Sequence, residues 1–164
     1  MSENGVDNDP GTIQADLARE VVSKIVAGCG REAKVTCEQT EDAIRIDVTG
    51  EDLAILIGRR AATLDAIQLL AFLISSNEVE GDWQRVVVDV DSYRARREVE
   101  LFAAADRALG EVLSGSGQVE LEPMTAQERR AVHNHLAEES GIETHSIGDD
   151  TDRRIVISSV ANAS

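Results

Sequence analysis

The chain has 164 residues, 42% of them apolar but only 2% aromatic, which suits one ordinary domain or two small ones built on an aliphatic core. A net charge of −15 argues against generic affinity for nucleic acid over the whole surface. No apolar run approaches the roughly 18 residues that span a membrane, and residues 1–10 lack the basic and apolar regions of a signal peptide, so a soluble, cytoplasmic protein is expected.

Residues 1–11 read as a disordered acidic tail. From Thr12 the pattern turns helical. Ile13, Leu17, Val21 and Ile25 recur every four residues as one stripe, and Gly28 and Gly30 end it. Residues 33–39 and 43–49 read as strands, with Thr40-Glu41-Asp42 as the hairpin turn and Ile44, Ile46 and Val48 facing one way. Gly50-Glu51-Asp52 breaks the pattern before Leu53–Ile57.

Residues 61–76 form the most apolar helix. Leu64, Ile67, Leu70, Ala71 and Ile74 make one broad face, while Leu69, Phe72 and Leu73 add a second side that is either core or a contact with another subunit. After a polar turn ending at Trp83, residues 84–90 read as a central strand. Ser92 is a credible N-cap for a helix running to about Leu113. Ser114-Gly115-Ser116-Gly117 then marks the clearest boundary. A smaller unit follows: a strand at 118–122, Pro123, a helix from Thr125 to Glu139 closed by Gly141, a strand at 143–147, the acidic turn 148–152, and a strand at 153–158.

Nine of the 16 basic residues fall in four clusters: Arg59/Arg60, Arg94/Arg96/Arg97, Arg129/Arg130 and Arg153/Arg154. Arginine offers a planar fork for bidentate phosphate contact and stacking. The Arg94 cluster either meets nucleic acid or pairs with Glu98, Glu100 and Asp106. Two stretches carry the chemistry. In the first, an apolar run ends at Gly58, followed by Arg59, Arg60, Ala61 and a helix, so loop amides, a helix N-terminus and two cations converge. In the second, Arg129 and His133 lie four apart and share one helix face, a fixed cationic fork beside an imidazole donor.

Other constellations read as structure. His133 and His135 point to opposite sides of a helix and make no metal pair. Asp149, Asp150 and Asp152 lack the remainder of a calcium loop. Cys29 and Cys37 have neither zinc nor Cys-x-x-Cys spacing and read as reduced, small core fillers. No nucleophile–base pair or Walker loop appears, so neither catalytic residues nor a cofactor or metal is expected.

The order helix–strand–strand–loop–helix–strand, with Leu56-Ile57-Gly58-Arg59-Arg60 and then Thr63-Leu64-Asp65-Ala66-Ile67, resembles a KH domain of the prokaryotic arrangement. In such domains a Gly-x-x-Gly loop clamps a single-stranded backbone. Gly58, Arg59, Arg60 and Ala61 occupy that loop, with alanine in place of the second glycine. A helical Ala61 would be harmless. An Ala61 at positive φ would be strained, and its methyl group would stand where a phosphate approaches.

Met124 to His133 with Arg153-Arg154 resembles the small module named for its Arg-x-x-x-His motif, the R-3-H domain. That likeness makes Arg129, Arg130, His133, Arg153 and Arg154 the second set of RNA-binding residues. Together the two modules resemble the Jag family (SpoIIIJ-associated, or KhpB), in a short form without the N-terminal Jag domain. The expected fold is α+β: an acidic tail 1–11, a KH domain 12–91, a connecting helix 92–116, an Arg-x-x-x-His domain 117–158, and a tail 159–164. The resemblance implies a non-enzymatic protein for single-stranded RNA, acting post-transcriptionally near cell elongation, division or envelope homeostasis. It also implies pairing with a small KH protein (KhpA-like) or with a second copy. The rival is a protein–protein adaptor that has lost RNA binding through Ala61. Single-stranded DNA is a further alternative ligand.

Overall fold

A computed structural model describes residues 10–80 and 83–160. The chain divides into two compact units, residues 1–93 and 94–164. The first helix, α1 (Pro10–Gly28), already includes Pro10 and Gly11, and proline suits the first helical turn because its missing N–H has no intrahelical partner there. The rest of the expected N-terminal tail, and residues 161–164 of the C-terminal one, lie outside the described residues.

In the first unit, β1 (Ala33–Gln39) and β2 (Ala43–Gly50) form the expected hairpin. The four-residue helix α2 (Ala54–Ile57) and then α3 (Ala62–Asn77) lead to β3 (Arg85–Val90). β3 lies parallel to β2, and the sheet order is β1-β2-β3. The strand expected to be central is therefore an edge, and β2 is the central one. Two side chains take up edge amides of β3: Gln68 accepts from the Val88 N–H at 3.1 Å, and the Asp89 carboxylate from the Val90 N–H at 2.9 Å. An edge satisfied in this way offers less to a stray strand.

The core is aliphatic. Ile44, Ile46 and Val48 of β2 and Val86, Val88 and Val90 of β3 face α1 and α3, with Leu53, Leu56, Leu64 and Ile67. Two expected helix faces are rotated. In α1 the buried residues are Gln14, Ala15, Ala18, Val22 and Val26, while Ile13 is exposed and Val21 and Ile25 only flank the core. Large side chains dominate the sequence stripe, but small ones at 15 and 18 permit the close approach to α3. In α3 the buried positions are Leu64, Ile67, Ala71 and Ser75, so Leu70 and Ile74 join Leu69 and Leu73 on the exposed side.

Gln14 is fully buried and pairs with the Gln84 backbone as a neighbouring strand would. Its Nε2 donates to the Gln84 carbonyl and its Oε1 accepts from the Gln84 N–H, both at 2.8 Å. The Gln84 side chain in turn donates to the carbonyls of Thr40 and Glu41 at 2.9 and 3.1 Å. Gln14 and Gln84 thus tie α1, the β-hairpin turn and the lead into β3 together.

Asp91 and Ser92 both adopt left-handed backbone (φ 49° and 54°), so Ser92 lacks the extended conformation of the expected N-cap. The Asp91 carboxylate accepts instead from the Gly50 N–H at 3.3 Å. The next helix, α4 (Tyr93–Glu111), opens at the last residue of the first unit. It was expected as a connector, yet Leu101, Ala105, Ala108 and Val112 build the second core with Leu121, Met124, Val132, Leu136, Ile155 and Ile157. A wide helical turn, Val112–Ser116, ends it, and Gly115 takes φ 109°, which a side chain would resist.

The remainder of the second unit is β4 (Gln118–Glu120), α5 (Ala126–His135), β5 (Ile142–Ile147) and β6 (Arg154–Ser159). The sheet is antiparallel in the order β4-β6-β5. Ile155 and Ile157 of β6 are the core-facing residues beneath the helices.

Candidate nucleic-acid interface

In the first unit the loop between α2 and α3 is built by backbone geometry. Gly58 has φ 71° and ψ −174°, a region open essentially to glycine alone. A Cβ there would also meet the Thr63 Cβ at 2.8 Å and its backbone nitrogen at 3.0 Å. Arg60 (φ 53°, ψ 40°) and Ala61 (φ 60°, ψ 14°) are both left-handed, which delays α3 by one residue from its expected start. Ala61 therefore occupies the conformation that glycine fills most cheaply. Its methyl group, however, belongs to the core, where Ala61 is buried with Leu56 and Leu64. The Ala61 methyl group is therefore packed into the core rather than standing on the outer surface of the loop.

Two of the loop amides are already used: the Gly58 N–H donates to the Ala54 carbonyl at 3.0 Å, and the Ala62 N–H to the Arg59 carbonyl. Arg59 is exposed and Arg60 half-buried. Asp65 in the first turn of α3 places one negative charge at the positive end of the helix. These two amides are closed to an anion, and the exposed Arg59 guanidinium supplies charge beside them.

In the second unit Thr125 caps α5. Its hydroxyl accepts from the Glu128 N–H at 3.3 Å, and the Glu128 carboxylate accepts from the Thr125 N–H at 2.7 Å. Thr125-Ala126-Gln127-Glu128 is thus a capping box, a Thr-x-x-Glu pattern visible in the sequence itself. Glu128 also receives the Arg97 guanidinium at 2.9 Å, and Arg97 lies 3.7 Å from Glu100. Of the three basic residues opening α4, Arg97 is therefore committed to protein, partly through the expected Glu100 and partly through a residue 31 positions away.

Arg129 and His133 follow on α5, above the buried Val132 and Leu136. Arg129 is half-buried, and its guanidinium donates to the Met124 carbonyl at 3.0 Å. The Met124 N–H donates to the Arg153 carbonyl at 3.0 Å, so one backbone residue links the Arg129 side chain to the start of β6. His133 is exposed, and its Nδ1 meets the hydroxyl of Thr144 on β5. Arg130 and Arg153 are exposed.

Arg154 does not extend a basic face unopposed. Its guanidinium donates to the Asp152 carbonyl at 3.1 Å and lies 3.3 Å from the Glu120 carboxylate. His135 turns away from His133: it stacks on Phe102, with ring centroids 4.2 Å apart, and bonds Asp106 at 2.8 Å. That pairing also removes Asp106 from the acidic residues expected to serve the α4 arginines. Sequence reasoning missed the parts played by Glu128, Met124 and Thr144. Only Glu128 carried a local signal; the other two act through contacts that exist only in the fold.

Cys29 is exposed rather than a core filler, whereas Cys37 packs half-buried on the first core. Among the described residues no helix is long and apolar enough to cross a membrane.

The family model of the KhpA/KhpB KH domain matches residues 15–90, and that of the R-3-H domain, the Arg-x-x-x-His module, matches residues 99–159. The chain is 33% identical over 147 residues to the RNA-binding protein KhpB of Bacillus subtilis, covering 88% of this chain and 69% of that protein. It is 31% identical over 163 residues to the protein of the same name from Clostridium symbiosum, covering 94% and 73%. A 114-residue stretch is 36% identical to KhpB of Lactiplantibacillus plantarum, covering 70% of this chain and 34% of that one. A KH unit with its glycine-bent loop, followed by an α5 that carries Arg129 and His133 on one face, falls within the two matched stretches in the same order. The chain belongs to the KhpB family.

Proposed function

We propose that this chain is a non-enzymatic, cytoplasmic protein that binds single-stranded RNA through two short basic surfaces. One observation carries the reading: Arg129 and His133 stand on one face of α5, with the imidazole exposed and held by Thr144. An anchored donor beside a cationic fork suits phosphate oxygens. Arg130 and Arg153 add exposed charge to the same unit. In the first unit Gly58, Arg59, Arg60 and Ala61 cradle a second stretch of strand, with Arg59 as its exposed cation. The acidic remainder of the surface repels polyanions that miss these contacts. The relatives' name, RNA-binding protein, supports the ligand class. A post-transcriptional role near cell elongation, division or envelope homeostasis follows the family resemblance.

The test is a salt titration of binding to labelled single-stranded RNA, with matched DNA and duplex RNA alongside. About three to four phosphate contacts give a slope of about −2 to −3 in log affinity against log salt. Arg129→Gln with His133→Ala should weaken binding about tenfold or more. Because Arg129 also holds the Met124 carbonyl, the circular dichroism melt of the double variant is recorded in parallel. A folded double variant with wild-type affinity refutes the assignment.

One observation favours a second activity. Leu69, Leu70, Leu73 and Ile74 form an α3 stripe 46–56% exposed, on a unit that already has a complete core. Apolar surface gathered in this way marks a contact with a partner, here a small KH protein of the KhpA kind or a second copy. Leu69→Glu with Leu73→Glu should abolish that association in analytical ultracentrifugation and leave RNA affinity unchanged. Association unaffected by the pair of charges removes this reading.

A further inference from the structure

We infer that Thr144 is a positioning residue for His133, holding the imidazole so that an Nε2–H donor faces the phosphodiester in both protonation states of the ring. This inference rests on the RNA reading of α5 given above. The backbone of His133 is fixed from below: Val132 and Leu136 flank it and are buried in the second core, and the Leu136 N–H donates to the Val132 carbonyl at 3.1 Å. The ring is then tethered at Nδ1 by the hydroxyl of Thr144. Thr144 stands on β5, opposite the core residue Ile157 of β6, so its position is set by the sheet rather than by a loop. With Nδ1 occupied, Nε2 lies on the other flank of an exposed ring and is the nitrogen left to a ligand.

The choice of a hydroxyl matters. A neutral imidazole carries one proton, and the tautomer follows from what its other nitrogen meets. A carboxylate at position 144 would demand Nδ1–H and leave a neutral ring with a bare Nε2 lone pair, which repels a phosphate oxygen. A fixed N–H donor would suit the neutral ring but oppose the imidazolium. A hydroxyl rotates. It donates to Nδ1 when the neutral ring keeps its proton on Nε2, the tautomer an unperturbed imidazole side chain favours, and it accepts from Nδ1–H of the charged ring. With that tautomer held, Nε2 bears a proton in both states, and the ring donates to a phosphate oxygen without first having to become charged.

The experiment combines spectroscopy and binding on the full chain. Long-range proton–nitrogen spectra of 15N-histidine-labelled protein, recorded where the ring is neutral, should show His133 protonated at Nε2. Thr144→Val, which keeps the shape and removes the hydroxyl, should give mixed tautomers and weaken single-stranded RNA binding about five- to tenfold. Thr144→Ser should restore both. In a double-mutant cycle, Thr144→Val should add nothing to the loss caused by His133→Ala, because the threonine acts only through the ring. A wild-type ring protonated at Nδ1 overturns the inference without any variant. So does wild-type affinity in Thr144→Val when His133→Ala has lost binding; in that case the RNA reading stands and the positioning role falls. Wild-type affinity in His133→Ala removes the RNA reading of this face and the inference with it.

Discussion

Replacing Gly58 by alanine separates what the α2–α3 loop needs from what it tolerates. At φ 71° and ψ −174° a side chain costs about 1–3 kcal/mol in backbone strain. The new methyl group would sit 2.8 Å from the Thr63 Cβ, on the first turn of α3, where overpacking adds about 1–3 kcal/mol. Reduced freedom of the unfolded chain returns about 0.4–1 kcal/mol. The net loss is about 3 kcal/mol. The chain's single tryptophan, Trp83, sits edge-on to Phe72 at 5.1 Å, so its fluorescence reports the first unit. With a slope of about 1.5 kcal/mol per molar urea, the midpoint should fall by about 2 M. Ala61→Gly is the contrast. It relieves about 1–2 kcal/mol of left-handed strain, but gives up a buried methyl worth about 0.8 kcal/mol and loosens the unfolded chain. Its midpoint should stay within about 0.3 M of wild type. A Gly58→Ala midpoint that also stayed there would refute the argument that this loop is built on glycine geometry and Thr63 packing.

Other outcomes follow from contacts away from the binding faces. Arg97→Met leaves the Glu128 carboxylate, 18% exposed, without its guanidinium and should cost the second unit about 2 kcal/mol. Amide exchange at Ile155 and Ile157 should quicken roughly 30-fold, with RNA affinity unchanged; an unaltered exchange rate would mean the pair contributes nothing. Gln14→Ala removes two 2.8 Å hydrogen bonds to the Gln84 backbone and should destabilise the first unit by about 2–3 kcal/mol, read again by Trp83. A loss under about 0.5 kcal/mol would show that water replaces the amide at no cost. Burial raises the Cys37 thiol above its ordinary value, and its Sγ–H reaches the Ala15 carbonyl at 3.8 Å. Iodoacetamide at mildly alkaline pH should therefore modify exposed Cys29 well before Cys37, as peptide mass mapping would show; equal rates would contradict the packing of β1 against α1. The sign is fixed by the direction of the shift. The neutral Cys37 thiol contributes its stability below the unfolded thiol value, and that contribution fades as pH climbs through the raised folded one.

Sequence alone determined the features that depend on local chemistry. Alternation in Ile44, Ile46 and Val48 specified a strand with one buried face. The Gly58-Arg59-Arg60 stretch specified a bend into a helix, and Arg129 and His133 shared a face because helical spacing requires it. The capping box of α5 was equally legible. Tertiary structure decided what depends on neighbours distant in sequence. Val86–Val88 reads as a central strand by composition, yet among the described residues it lies at the sheet edge, where the Gln68 side chain takes up the Val88 N–H. The buried faces of α1 and α3 are set by where alanines allow close approach, which large-residue stripes conceal. Ala61 takes a conformation that no propensity assigns to alanine, and holds it because its methyl group is buried. Arg97 and Arg154 looked like members of a basic face until Glu128 and Glu120, far away in the chain, were brought beside them. Thr144 is silent in the sequence, since its contact with His133 exists only when β5 is laid against α5. Local periodicity and capping are properties of a few consecutive residues, whereas charge partners and buried faces belong to pairs of surfaces that only the folded chain brings together.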